Sequence, residues 1–162
     1  MAQAEDSDLV VPSIFDRLSS EGEQPLHTRS HAQLLRELRR SVMRDVAHLL
    51  NTRRRAIDSP PELTELSQSN LGYGIPDITG GNFNSPNALE EFRRIVEDTL
   101  RRYEPRFQSV RVRLLANAFE ADSTVRFRID AMLRAEPAPE PIVFDSIMEP
   151  VLCNFEVRGA AR

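Results

Sequence analysis

The chain of 162 residues has no lysine, no tryptophan and one cysteine. A lone cysteine, Cys153, excludes an intramolecular disulfide framework. Without lysine there is no ammonium to reach a nucleotide phosphate, and the G-x-x-x-x-G-K-[ST] spacing is absent as well. Without tryptophan, a sugar cleft lacks its usual stacking surface. No apolar run approaches the roughly 18 residues that a membrane-spanning helix needs, so direct membrane insertion is not expected. The start MAQAEDSDLVV is acidic and lacks both the basic region and the apolar core of a signal peptide, which predicts a cytoplasmic protein. A net charge of −4 and a pI near 5.5 give no overall attraction to nucleic acid. All 21 basic residues are arginine; that reflects either genomic base composition or the suitability of guanidinium for bidentate pairing with carboxylates.

What remains is ordinary globular material, with 40% hydrophobic and 28% charged residues, enough for one domain with a tail. Residues 1–29 read as a tail carrying one apolar island, Ser13-Ile14-Phe15-Asp16-Arg17-Leu18. Ile14, Phe15 and Leu18 fall at one-turn spacing behind Ser13 as a candidate N-cap, and the island docks either on its own domain or on a partner. Residues 30–158 read as the folded domain and 159–162 as a short C-terminal tail.

The first helix is predicted from Ser30 to about Leu50. Ser30 and Gln33 form an S-x-x-Q capping box, and Leu34, Leu35, Leu38, Val42, Val46, Leu49 and Leu50 make one apolar stripe. Arg53-Arg54-Arg55 suits a solvated C-terminal turn better than nucleic-acid binding. Glu62 to Ser69 predicts a short helix with Leu63 and Leu66 inward. Tyr73-Gly74-Ile75-Pro76-Asp77 predicts a structured loop pinned to the core by Tyr73, Ile75 and Ile78. Ser85-Pro86 opens a second helix whose inner stripe is Leu89, Phe92, Val96, Leu100 and Tyr103, and Pro105 stops it. The period then changes from 3.6 to 2. Val110-Val112-Leu114 and Val125-Phe127-Ile129 alternate with arginines as strands, Ala121-Asp122-Ser123 turns between them, and residues 142–144 and 151–157 add one or two more. The prolines at 137, 139 and 141 form a stiff connection. The fold class is α+β, two main helices packed on a small antiparallel sheet of three to four strands.

Candidate chemistry is sparse. His27, His31 and His48 with Cys153 do not form a zinc pattern, because the cap at Ser30 separates the first two; no metal or cofactor is expected. Cys153 sits at an alternating position that predicts a small core residue rather than a nucleophile. The carboxylates Glu90, Glu91, Glu97 and Asp98 occupy a capped amphipathic helix and have a solvated-face explanation, so a glycoside-hydrolase site is disfavoured and no catalytic residue is assigned. The unusual feature is Glu104-Pro105-Arg106. With helical geometry disfavoured at Glu104, the three residues are expected to be extended, with Glu104 and Arg106 pointing the same way as a bipolar tip. That tip is either an exposed ion pair at a helix end or a charged socket for a partner.

Taken in order, Ser13-Ile14-Phe15-Asp16-Arg17-Leu18, Tyr73-Gly74-Ile75-Pro76-Asp77 and a helix ending in Glu104-Pro105-Arg106 before an antiparallel sheet resemble the TssE family. These are type VI secretion baseplate subunits related to the contractile-tail phage wedge proteins once labelled lysozyme-like. The likeness covers about residues 13–158. It implies a non-enzymatic structural protein, placed in the cytoplasm at the inner face of the cytoplasmic membrane. The implied partners are TssF, TssG and TssK in the wedge, with Glu104, Pro105 and Arg106 engaging the wedge core and Ile14, Phe15, Arg17 and Leu18 as further contacts. It also implies a sheet resembling that of the sheath proteins TssB and TssC, whose arms add strands to begin sheath polymerisation. The alternatives are a wedge protein of a phage-tail-like contractile particle and a peptidoglycan-cleaving hydrolase, although no catalytic residue of the lysozyme-like label matches here.

Overall fold

The computed structural model describes Leu18 and residues 30–55, 62–63, 65–66, 69–78, 83, 85–116, 124–135 and 138–160. Helix α1 spans His31–Asn51, and its start is fixed locally. The Ser30 hydroxyl accepts from the Gln33 N–H while the Gln33 side chain accepts from the Ser30 N–H at 2.8 Å, so the expected capping box is complete. Helix α2 spans Pro86–Tyr103, with Pro86 in its first turn and the Ser85 hydroxyl accepting from the Ala88 N–H at 3.1 Å. Both apolar stripes face inward as their spacing predicts: Val42, Val46, Leu50, Phe92, Val96 and Leu100 are fully buried.

Four strands follow, β1 (Phe107–Leu115), β2 (Val125–Leu133), β3 (Glu140–Glu149) and β4 (Asn154–Gly159), each antiparallel to its sequence neighbour in the order β1-β2-β3-β4. The architecture is therefore α+β, two helices with a four-stranded antiparallel meander. Strand β2 alternates strictly, with Val125, Phe127, Ile129, Ala131 and Leu133 buried and the residues between them half-exposed. The inner face packs on the helices. Phe92 of α2 meets Phe127 edge-on at 5.6 Å and stacks on Phe155 at 6.2 Å, joining helix, central strand and last strand in one aromatic cluster.

Three local expectations are corrected. Leu63 is exposed rather than inward. Pro141 belongs to β3, opposite Met132, rather than to the preceding connection. Val151, Leu152 and Cys153 are not strand residues: they follow Pro150 in the turn that reverses β3 into β4, with Val151 78% exposed. Pro150 lacks the N–H that would extend the ladder, and Cys153 takes a positive φ of 47° at the end of the turn. Cys153 is accordingly half-buried at the hairpin tip, its thiol donating to the Pro150 carbonyl, instead of being a core residue. The Ala121-Asp122-Ser123 turn lies outside the described residues.

Candidate functional site

The Glu104-Pro105-Arg106 corner joins the end of α2 to the start of β1. The Glu104 N–H closes on the Leu100 carbonyl as the helix cap, and the Phe107 N–H returns to the Glu104 carbonyl at 3.1 Å. The segment is thus a tight turn, not the extended stretch that its proline implies. The two charged side chains do meet, but inside the protein. Glu104 is only 4% exposed, which overturns the expectation of an exposed tip. Its Oε1 accepts from the Arg106 Nε at 2.7 Å and from the Arg106 backbone N–H at 3.2 Å, while its Oε2 takes the Arg106 Nη2. The guanidinium continues to α1, where Nη2 donates to Asp45 at 2.8 Å and Nη1 to Ser41 at 3.3 Å. Arg44 closes the far side of the cluster on Asp45 and Ser41. Burial works against the Arg106 cation, yet Glu104 and Asp45 outweigh it and hold its pKa above the usual arginine value.

The Tyr73–Asp77 loop lies beside this corner. The Tyr73 phenol is pushed above its ordinary pKa first by burial and then by the negative charges of Asp45 and Glu104. Tyr73 also packs edge-on against Tyr103 at 5.4 Å, just before Glu104. The loop is tied to the end of α1 by two backbone bonds of 2.8 Å, Ile75 N–H to Thr52 and Arg54 N–H to Ile75. Gly74 permits that approach: its φ is +103°, and a Cβ there would stand 2.3 Å from the Thr52 carbonyl oxygen. Two motifs separated in sequence therefore form one corner with α1.

The second site feature is the pair of sheet edges. In β1 the Val112 N–H, which points away from β2, donates to Glu97 Oε2 of α2 at 3.0 Å. Burial raises the Glu97 pKa, but this N–H together with Arg93 and Arg101 brings it below the ordinary glutamate value. In β4 the side chain of Asn51, the last residue of α1, brackets Phe155: Nδ2 donates to its carbonyl and Oδ1 accepts its N–H, both at 2.9 Å. Glu97 was noted only as one of four helix carboxylates, and Asn51, Asp45 and Ser41 are neighbours that the sequence did not single out. Their partners are backbone groups or distant side chains, so no local spacing marks them.

The remaining candidates separate. Glu90, Glu97 and Asp98 are engaged by Arg93, Arg94 and Arg101 along one helix surface, with Glu90 drawn down to about 2 by hydrogen bonds from Arg93. Among the described residues no cluster of histidine, cysteine and carboxylate side chains is grouped to hold a metal. Likewise no described helix is long and apolar enough to cross a membrane. Ile14, Phe15 and Arg17 lie outside the described residues, while Leu18 is 76% exposed.

No curated protein and no solved structure matches the chain. The family model described as baseplate wedge protein gp25 matches residues 36–138, well over half of the chain. That span begins within α1 and covers the Tyr73–Asp77 loop, α2, the Glu104-Pro105-Arg106 corner, β1 and β2. The chain therefore belongs to the gp25 family of baseplate wedge proteins, the TssE-type family, whose members are structural parts of phage-tail-like baseplates and work in contact with other baseplate and tail proteins.

Proposed function

We propose that this chain is the TssE subunit of a type VI secretion baseplate, a non-enzymatic cytoplasmic protein that joins the wedge to the contractile sheath. In this role the Glu104-Pro105-Arg106 corner docks on the wedge core formed with TssF, TssG and TssK, and the sheet accepts strands from the sheath proteins TssB and TssC. The supporting observation is the sheet itself: an open antiparallel meander with helices on one face and no closure, so that β1 and β4 are both edges. Edges of this kind template additional strands through main-chain hydrogen bonds. The buried Glu104–Arg106 pair supports the docking role by fixing the shape of the turn, on which Pro105 is exposed. The apolar residues Ile14, Phe15 and Leu18, with Arg17, supply a second contact from the N-terminal segment. The family match equally favours a wedge protein of another phage-tail-like contractile particle, because it covers the wedge fold and not the surrounding machine.

Co-purification of the full chain with TssF and TssG tests the first reading. Pro105→Asp is the informative variant, since Pro105 is exposed and its side chain takes no part in the ion pairs. It should keep a wild-type circular dichroism spectrum and lose at least tenfold in TssF–TssG recovery. A folded variant that co-purifies normally would refute docking through this corner.

A further inference from the structure

The two edges of the sheet are not equivalent, and the phase of the hydrogen-bond ladder shows how. The Ala160 N–H bonds the Val143 carbonyl at 3.1 Å, and in the same register Gly159 lies opposite Phe144 and Val157 opposite Ser146. In an antiparallel pair, bonded and non-bonded positions alternate, so Phe155, Val157 and Gly159 direct their backbone groups away from β3. Asn51 takes both groups of Phe155, which confirms the phase independently. Among the described residues nothing takes those of Val157 or Gly159. The edge is closed at its first outward residue and open at the next two.

Strand β1 differs. By the same alternation Val110, Val112 and Leu114 face outward, but the Glu97 carboxylate occupies the middle position, where the carbonyl of an added strand would have to sit. Glu97 cannot easily leave, because Arg93 at 2.7 Å and Arg101 at 2.9 Å hold it and it is only 17% exposed. A register shift between Phe107 and Ser109 interrupts the same edge further down.

The surroundings of the open stretch define what fits it. Gly159 shares the inward phase of Phe155 and Val157, yet a Cβ built there meets nothing within 4 Å, so the sheet extends past its helices at this point. A large apolar side chain from a neighbouring strand would cover that gap. On the opposite face Arg158 ends the row Arg113–Arg128–Asp145–Arg158, in which Arg113 pairs with Asp130, Arg128 with Asp145 and Arg158 with Glu156. Directly opposed unlike charges stabilise a strand pair and like charges oppose it.

We propose that the outer edge of β4 at Val157–Gly159 is the acceptor for an added strand from a partner chain, one that places a large apolar residue over Gly159 and no cation beside Arg158. The β1 edge is closed by Glu97. The inference rests on the strand-addition reading above, and the experiment separates the two. Sheath assembly is scored in cells by fluorescent sheath structures, for full-length variants checked for folding by circular dichroism and for recovery with the baseplate. Val157→Pro removes an outward N–H that β3 does not use; Gly159→Leu puts a side chain into the gap from a Cβ that has nothing within 4 Å; Leu114→Pro makes the equivalent change on β1. The first two should reduce sheath formation at least tenfold, while Leu114→Pro stays within twofold of wild type. If Val157→Pro fails to fold, Gly159→Leu decides alone, and normal sheath formation in that folded variant overturns the proposal. Loss with Leu114→Pro but not with Gly159→Leu overturns the choice of edge and leaves strand addition standing. Normal assembly in all three overturns both.

Discussion

Replacing Arg106 with alanine would leave Glu104 with a single hydrogen bond, from the backbone N–H at 3.2 Å, in a position 4% exposed to solvent. Removing one member of a buried ion pair costs about 3–5 kcal/mol, because the remaining charge has lost its partner and has no water. The opposite change, Glu104→Ala, is milder. Arg106 keeps Asp45 and Ser41, and its side chain is 21% exposed, so the loss is that of its hydrogen bonds to one charged group, about 1.5–3 kcal/mol. The ordering Arg106→Ala worse than Glu104→Ala is thus dictated by burial, not by the chemistry of the pair. Urea denaturation of the full chain measures it, with unchanged m-values confirming that only stability has moved. At about 2–4 °C per kcal/mol for a chain of this size, Arg106→Ala should melt roughly 6–20 °C lower. The difference should persist at about 0.5 M salt, because a pair this buried is poorly screened. Losses below about 0.5 kcal/mol for both variants, or a larger loss for Glu104→Ala, would refute the reasoning.

Two further outcomes follow from neighbouring elements. Glu97 is held below the ordinary glutamate pKa, so its contribution is fully present above that ordinary value and is lost as pH falls through the lowered one. Wild type should therefore lose more stability than Glu97→Gln between about pH 6 and pH 3, with the two denaturation midpoints converging at the acid end; parallel pH curves would be the contrary result. Gly74→Ala places a methyl group against the Thr52 carbonyl at φ +103° and should cost at least about 1–3 kcal/mol in thermal unfolding, and a shift below about 0.5 kcal/mol would contradict the geometry.

The parts of this structure that were legible in the sequence are those whose partners are close along the chain. The Ser30–Gln33 box, the Ser85-Pro86 helix start and the alternation through Val125–Leu133 are each written within one turn or one strand. The Glu104-Pro105-Arg106 motif is visible in the sequence, with an ion pair as one of its two readings, but its burial is not, since that depends on Asp45 and Ser41 some sixty residues earlier in α1. Asn51 carried no signal because it serves a backbone group of a strand, and Glu97 was visible only as a helix carboxylate, since nothing in its neighbours marks its bond to the Val112 N–H. Val151-Leu152-Cys153 misled because an apolar triplet resembles a strand. Pro150 immediately before it was the local sign of a turn.

The bond from Asn51 to Phe155 spans 104 positions of the chain, whereas every strand pairs with the one made just before it. During synthesis the hairpins can therefore close one after another over short loops, at little entropic cost, while the clamp from the end of α1 forms only once the last strand is made. Until then β3 is itself an unprotected border, and a chain cut short before residue 154 ends with that border exposed and its Phe92 and Phe127 rings lacking Phe155. The consequence is a quality check inherent in the topology: a chain that ends before its final strand lacks both β4 and the Asn51 clamp on Phe155, and is expected to be a target for chaperones and proteases.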